Sequence, residues 1–285
     1  PPGRRGEELT PGRRTTPPGL QGDRESVPLL AALEARPPGQ GVALFLDYDG
    51  TLVNIAPRPA EARPDAELLR LLHRLVAHPG VEVIVVSGRG LKELRDLLPL
   101  PGLHYLASHG GEGWIRGQPF TIPGSIPGGR DSGRLREEVR SLLAALKGWW
   151  LEDKPLGFAL HFRQADPPTE AKIIHLLKPW LGRLQERSPF RVLKGKKVVE
   201  VLPRKVSKGA AIRAILSSPG FSGLFPIYCG DDITDESAFE VLQGRGLTVR
   251  VGGPEGATAA SHTLPHPAAL RRFLACLLTK LEVRP

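Results

Sequence analysis

Val42-Ala43-Leu44-Phe45-Leu46-Asp47-Tyr48-Asp49-Gly50-Thr51 joins an unbroken apolar run to two carboxylates and a glycine. An apolar run without alternation is the pattern of a strand covered on both faces, as in the parallel sheets of α/β proteins, where ligands bind beyond the carboxyl ends of the strands. Asp47 and Asp49 would leave such a strand at that end. Two anions held there cost free energy unless a cation neutralises them. The stretch therefore points to a metal-assisted acid/base site. An acidic turn closing a hairpin is the competing reading of an isolated D-x-D-G.

Outward from this stretch, four more short apolar segments read as core strands: 81–86, 103–107, 225–229 and 247–251. Helical patterns separate them. After Pro64, Leu68, Leu69, Leu71, Leu72, Leu75 and Val76 supply an apolar helical face. A shorter helix is expected over Leu91–Leu98 and a last amphipathic one over Ala268–Leu281. Ser207 is the expected N-cap of a helix around Ala210–Leu216, and Thr234 of the one through Phe239 and Val241. Strands alternating with helices predict an α/β fold, a doubly wound parallel sheet with a Rossmann-type core.

More than a hundred residues separate the third strand from the fourth, too many for one crossover. Within that gap 135–146 and 171–184 read as helical, 157–162 and 197–202 as extended. The expected organisation is a flexible N-terminal arm (1–40, rich in Pro, Gly and Arg at its start), a core formed by 41–113 and 204–285, and an inserted α+β domain at 114–203. The formal charge of +9 is concentrated in the insert and the few residues after it: residues 114–207 carry +9, whereas 42–113 carry −2. A cationic block beside a carboxylate-rich one suits steering of a small anionic substrate, although basic blocks also bind nucleic acid through its phosphates. The insert has few aromatic stacking platforms beyond Trp149, Trp150, Phe158, Phe162, Trp180 and Phe190, which disfavours the nucleic-acid reading.

Polar residues follow the predicted strands at one rim. Asp47 and Asp49 follow the first, Ser87-Gly88-Arg89 the second, and Gly230-Asp231-Asp232-Ile233-Thr234-Asp235-Glu236 the fourth; Lys208 opens a helix. Oxygen ligands such as Asp47 and Asp231, completed by a backbone carbonyl and water, suit Mg²⁺. Asp47 could then attack phosphorus, and Asp49 could protonate the leaving oxygen and later deprotonate water. Ser87 and Lys208 could hold the phosphoryl oxygens. Asp232 and Asp235 are expected to support the metal shell. The P-loop pattern G-x-x-x-x-G-K-[ST] is absent.

This order of motifs resembles the haloacid dehalogenase superfamily of phosphatases, with Asp47-Tyr48-Asp49-Gly50-Thr51, Ser87, Lys208 and Gly230-Asp231-Asp232 matching its four motifs in turn. The resemblance implies an aspartyl-phosphate intermediate, an inserted cap, and Mg²⁺ held by the side chains of Asp47 and Asp231 with the Asp49 carbonyl. Over roughly residues 40–245 the chain is similar, more narrowly, to trehalose-6-phosphate phosphatases. The matching segments are Val86-Ser87-Gly88-Arg89, Ser108-His109-Gly110, Glu152-Asp153-Lys154, His161-Phe162-Arg163, Gly195 to Val201, and Gly230 to Glu236 with Ala238-Phe239. Contacts to trehalose 6-phosphate are then implied for Tyr48, Ser87, Gly88 and Arg89 on the core, and for Glu152, Lys154, His161, Arg163, Lys196 and Glu200 on the cap. Arg89 could equally pair with an acid in the core. Leu202-Pro203 departs from the family's usual Arg-Pro. Another capped sugar phosphatase, for sucrose 6-phosphate or a mannosyl phosphate, is the rival substrate reading.

Cys229 and Cys276 both lie in apolar contexts and read as reduced, buried residues. No apolar stretch approaches the ~20 residues that cross a bilayer, and residues 1–27 lack the apolar core of a signal peptide. A cytoplasmic enzyme with no membrane partner is expected.

Overall fold

The computed structural model describes residues 25–34, 36–122, 129–154, 156–187, 189–195, 197–253 and 256–283. In chain order these begin with α1 (Val27–Glu34), β1 (Val42–Asp47), α2 (Ala66–Ala77), β2 (Val81–Val86), α3 (Leu91–Leu97), β3 (His104–Ala107), β4 (Glu112–Ile115) and β5 (Gln118–Phe120). A second unit follows: α4 (Gly129–Leu143), β6 (Trp150–Lys154), β7 (Gly157–His161), α5 (Pro167–Arg187), β8 (Phe190–Gly195) and β9 (Val198–Pro203). The chain then returns with α6 (Lys208–Leu216), β10 (Phe225–Gly230), α7 (Ile233–Leu242), β11 (Leu247–Val251), β12 (His262–Leu264) and α8 (Pro267–Val283).

The larger sheet runs β12-β11-β10-β1-β2-β3-β4-β5, parallel from β12 to β3, with β4 and β5 antiparallel at one edge. β1 is wholly buried because helices cover both faces. Val42, Leu44 and Leu46 pack with Leu68, Leu72 and Leu75 of α2 and Leu270, Phe273, Leu274 and Leu277 of α8. Ala43 and Phe45 pack with Ile212 and Ile215 of α6 and Phe239 and Leu242 of α7. Each such leucine or phenylalanine stabilises the fold by about 1.5–3 kcal/mol relative to exposure. The continuous apolar pattern of β1 is thus explained by its central place. Strand order reverses between β1 and β10, so the segments leaving their carboxyl ends face a shared crevice.

Three expectations need correction. The arm predicted as flexible over 1–40 contains α1, whose Leu29, Leu30 and Leu33 join the core against α8 and β11. Its apolar residues at helical spacing gain more from burial than a solvated arm would; residues 1–24 lie outside the described residues. The insert does not begin at 114. Trp114 pairs with Tyr105, and the β4–β5 hairpin, turning at Arg116 and Gly117 in the left-handed region, extends the large sheet. α7 is capped by Asp232, not Thr234: the Asp232 carboxylate accepts the Ile233 N–H at 2.6 Å, and Asp235 caps reciprocally.

The second unit is an antiparallel sheet of order β6-β7-β9-β8. Phe158, Leu160, Val199 and Val201 on one face pack beneath Val139 and Leu143 of α4 and Ile173, Leu177 and Trp180 of α5. Alternation puts Trp150, Glu152, Lys154, His161 and Glu200 on the opposite face. That face reaches the core where Glu200 meets His109. Cys229 is buried, Cys276 partly so, and neither forms a disulfide. Among the described residues no helix is long and apolar enough to cross a membrane.

Candidate active site

Asp47 is the last residue of β1 and is almost fully buried. Lys208 opens α6 behind the Ser207 N-cap, which accepts the Ala210 N–H at 3.0 Å. Its Nζ donates to Asp47 Oδ1 at 2.8 Å and to Asp235 Oδ1 at 2.7 Å. Thr51, in the tight turn after β1, donates from Oγ1 to Asp231 Oδ1 at 2.9 Å and lies 3.4 Å from Asp47 Oδ2. Gly50 (φ +83°) allows this approach, because a Cβ there would lie 2.0 Å from Asp231 Oδ2.

Crowding of these carboxylates has a clear electrostatic consequence. Burial pushes the Asp47 carboxyl well above the usual carboxylate range; Asp235 and Asp231 act in the same direction, while Lys208 opposes them. Burial likewise pushes Asp231 up to about 6. For Lys208, burial works against the charged form, but Asp235 and Asp47 outweigh it and hold the ammonium above the ordinary lysine range.

Asp47, Asp231 and Asp235 each present an oxygen within 4.8 Å of the others. Asp235 is already committed to Lys208, to the Tyr228 hydroxyl and to the Asp232 N–H. It braces the site from beneath. Asp47 and Asp231 remain as two hard oxygen donors whose crowding a divalent cation would relieve, so the donor set fits such an ion. The turn at Asp49 hydrogen-bonds through the Tyr48 carbonyl and the Gly50 N–H, which leaves the Asp49 carbonyl outside that pattern. Asp232, expected near the metal shell, is exposed and serves as the helix cap.

Asp49 meets Arg89, which follows β2. Arg89 Nε and Nη2 each lie 2.7 Å from an Asp49 carboxylate oxygen; the guanidinium also reaches Glu93 and the Pro59 carbonyl. Its donors are therefore spent on the core, the second of the roles left open for Arg89. Tyr48 needs a plainer correction. It is fully buried, with its hydroxyl donated to the Ala62 carbonyl at 2.9 Å and Arg89 over its ring, so it cannot touch a ligand in this conformation. Ser87 is buried, and its Oγ accepts the Arg89 N–H at 3.1 Å. Gly88 makes room for the His109 ring, since a Cβ there would lie 2.7 Å from His109 Cε1.

On the second sheet, Glu152 bridges Lys154 (2.6 Å) and His161 (2.8 Å), and the Trp150 ring stacks on His161 at 4.7 Å. Glu200 lies 3.2 Å from His109 Nε2, joining the two units. Burial raises the carboxyls of Glu152 and Glu200, but their hydrogen bonds to Lys154 and His161, and to His109, overcome it and hold both below the usual range. Arg163 makes a long contact, 3.4 Å, to the Pro57 carbonyl. Lys196 lies outside the described residues. Thr51, His109 and Trp150 belong to the arrangement without having been assigned roles from the sequence. Thr51 and His109 stood inside quoted motifs, which was the only signal for them.

The pattern of the family described as trehalose-phosphatase matches residues 45–263, from within β1 to β12. The chain belongs to the trehalose-phosphatase family. This family member is 35% identical over 246 residues to the trehalose-6-phosphate phosphatase of Escherichia coli, covering 84% of this chain and 88% of that protein. A solved trehalose-6-phosphate phosphatase related protein superposes with a TM-score of 0.67 at 29% identity, over 85% of this chain and 100% of that one. A haloacid dehalogenase-like hydrolase from Bacteroides thetaiotaomicron shares the fold alone, with a TM-score of 0.61 at 17% identity over 84% and 99% of the two chains. The chain is thus a phosphoric monoester hydrolase on a haloacid dehalogenase-like scaffold, and its second sheet with α4 and α5 lies within the span where the sequence led us to expect an inserted cap.

Proposed function

We propose that the chain hydrolyses trehalose 6-phosphate to trehalose and phosphate, using Mg²⁺ and a phosphoryl group carried transiently on Asp47. The observation that carries this reading is the buried Asp47 carboxylate, held by Lys208 and adjacent to Asp231 at the end of β1, with a family match that takes in all three residues. Asp47 and Asp231 side chains and the Asp49 carbonyl would hold Mg²⁺, which supplies positive charge that neutralises the crowded acids and the phosphoryl oxygens.

An Asp47 carboxylate oxygen forms a bond to phosphorus while the bond from phosphorus to the sugar oxygen breaks. Asp49 gives its proton to that departing oxygen, then takes one from the water that attacks the aspartyl phosphate and restores Asp47. Each Asp49 oxygen accepts one Arg89 donor and keeps a second lone pair for the proton. Lys208 and Ser87 stabilise charge on the transferring group. On the cap, Glu152, Lys154, His161, Arg163, Lys196 and Glu200 bind sugar hydroxyls through charge-assisted hydrogen bonds. The basic insert is read as serving this small anionic substrate, with much of its charge already paired, as in Arg136–Asp153, Arg134–Glu138 and Lys197–Glu170.

Colorimetric phosphate release from trehalose 6-phosphate, with and without Mg²⁺, tests the reading. A panel including sucrose 6-phosphate and a mannosyl phosphate sets the substrate: trehalose 6-phosphate should have the highest kcat/KM. Absence of Mg²⁺-stimulated release from it would overturn the proposal.

A further inference from the structure

On β8, Phe190 and Val192 pack beneath α4 and α5, so Arg191 between them faces the side of the four-stranded sheet turned away from those helices. That side also carries Glu152, Lys154, His161 and Glu200. These four are paired: Glu152 with Lys154 and His161, Glu200 with His109. Arg191 differs. Its guanidinium makes no hydrogen bond or ion pair with a described residue, and its Nε is shut off from solvent without a partner. Its cross-strand neighbour is Leu202, an apolar side chain that offers nothing to its donors. Glu200, two residue pairs along the ladder (Leu193↔Glu200) and on the same face, is near enough to act on it electrostatically but not bonded to it.

A guanidinium has five donors in a rigid fork, and half-burying it without acceptors costs free energy that a polar ligand can recover. Folding alone gives no reason to hold the group there, since an apolar residue beside Leu202 would pack at no such cost. We propose that Arg191 is a substrate-recognition residue, donating hydrogen bonds to hydroxyl oxygens of a polyhydroxylated phosphate ester bound between the two sheets. The inference rests on the proposed sugar-phosphate phosphatase activity. It adds to that reading a cap cation supplied by β8, beside the position on β9 that Leu202 leaves apolar.

The test uses Arg191→Met, which keeps an apolar stem of similar reach, and Arg191→Lys, which keeps the charge without the fork. Kinetics are measured in Mg²⁺ on trehalose 6-phosphate and on p-nitrophenyl phosphate, which has no sugar hydroxyls. The selectivity ratio, kcat/KM for the sugar phosphate over that for the aryl phosphate, should fall about 10–100-fold in Arg191→Met. Most of the change should lie in KM, Arg191→Lys should recover part of it, and Tm should be equal or higher. An unchanged ratio, or equal losses on both substrates with a lowered Tm, would overturn the assignment. Failure of the wild-type protein on trehalose 6-phosphate would instead count against the substrate reading. The same ratio is then taken with whichever sugar phosphate the wild type hydrolyses, and a fall in Arg191→Met on that substrate supports the assignment while no fall overturns it.

Discussion

Both carboxylate oxygens of Asp49 sit 2.7 Å from the Arg89 guanidinium, one on Nε and one on Nη2. The clamp is itself braced by Glu93 and the Pro59 carbonyl, so Arg89 sets where Asp49 rests between proton transfers. A lysine cannot reproduce a two-point fork. Arg89→Lys should lower kcat by about 10–100-fold, within the range that positioned acid/base groups contribute, with a smaller change in KM. The pH–rate profile should change shape as well. A variant with normal kcat and an unaltered profile would show that the clamp does not position the acid/base group.

Asp47→Asn removes the proposed nucleophile while keeping its shape. Turnover of trehalose 6-phosphate should fall by about 10³-fold or more. The fold should survive, because Lys208 keeps Asp235 and because burial disfavours the Asp47 charge in the first place. Circular dichroism and a thermal melt would check the second half; phosphate release near the wild-type rate would refute the first.

Gly50→Ala probes the turn that brings β1's acids to Asp231. The new methyl group would meet Asp231 Oδ2 at 2.0 Å from a backbone with φ +83°. A left-handed non-glycine residue alone costs about 1–2 kcal/mol, and the carboxylate must also move. Activity and Mg²⁺ affinity should therefore drop more steeply than thermal stability, which titration of activity against Mg²⁺ alongside Tm will reveal.

The raised Asp231 carboxyl links stability to pH. Its folded value of about 6 exceeds the model-compound 3.8, so the metal-free fold prefers it protonated. This contribution is complete below about pH 4 and is lost as pH rises to about 6. In chelator, Asp231→Asn should accordingly melt above the wild type at pH 7, with the gap closing near pH 4. Adding Mg²⁺ at pH 7 should raise the wild-type Tm and leave Asp231→Asn nearly unmoved. A gap independent of pH would contradict the assignment of the effect to this carboxyl.

Asp235 is the brace beneath the site, fully buried and bonded to Lys208, Tyr228 and the Asp232 N–H. Asp235→Ala strands a buried ammonium partner and two donors. A loss of about 3–5 kcal/mol is expected in denaturant melts, much larger than for Asp47→Asn. Equal losses for the two variants would mean that Asp235 has no special structural part.

The strand-and-helix alternation, the place of Asp47 at a buried strand end and the acidic segment after β10 were all legible in the sequence. Each is written in a local period or in residues a few positions apart, and such patterns act through nearest neighbours along the chain. Where the sequence erred, local cues competed: Thr234 looked like a cap, yet Asp232 two residues earlier could bond Ile233 and be capped in return by Asp235. Pairing across the fold was another matter. Thr51 meets Asp231 across 180 positions, and His109 meets Glu200 across 91. The burial of Tyr48, the spending of Arg89 on Asp49 and the isolation of Arg191 likewise follow from which strand ends lie side by side. That adjacency is decided by the collective packing of helices on two sheets, whose free energy belongs to no single stretch of residues.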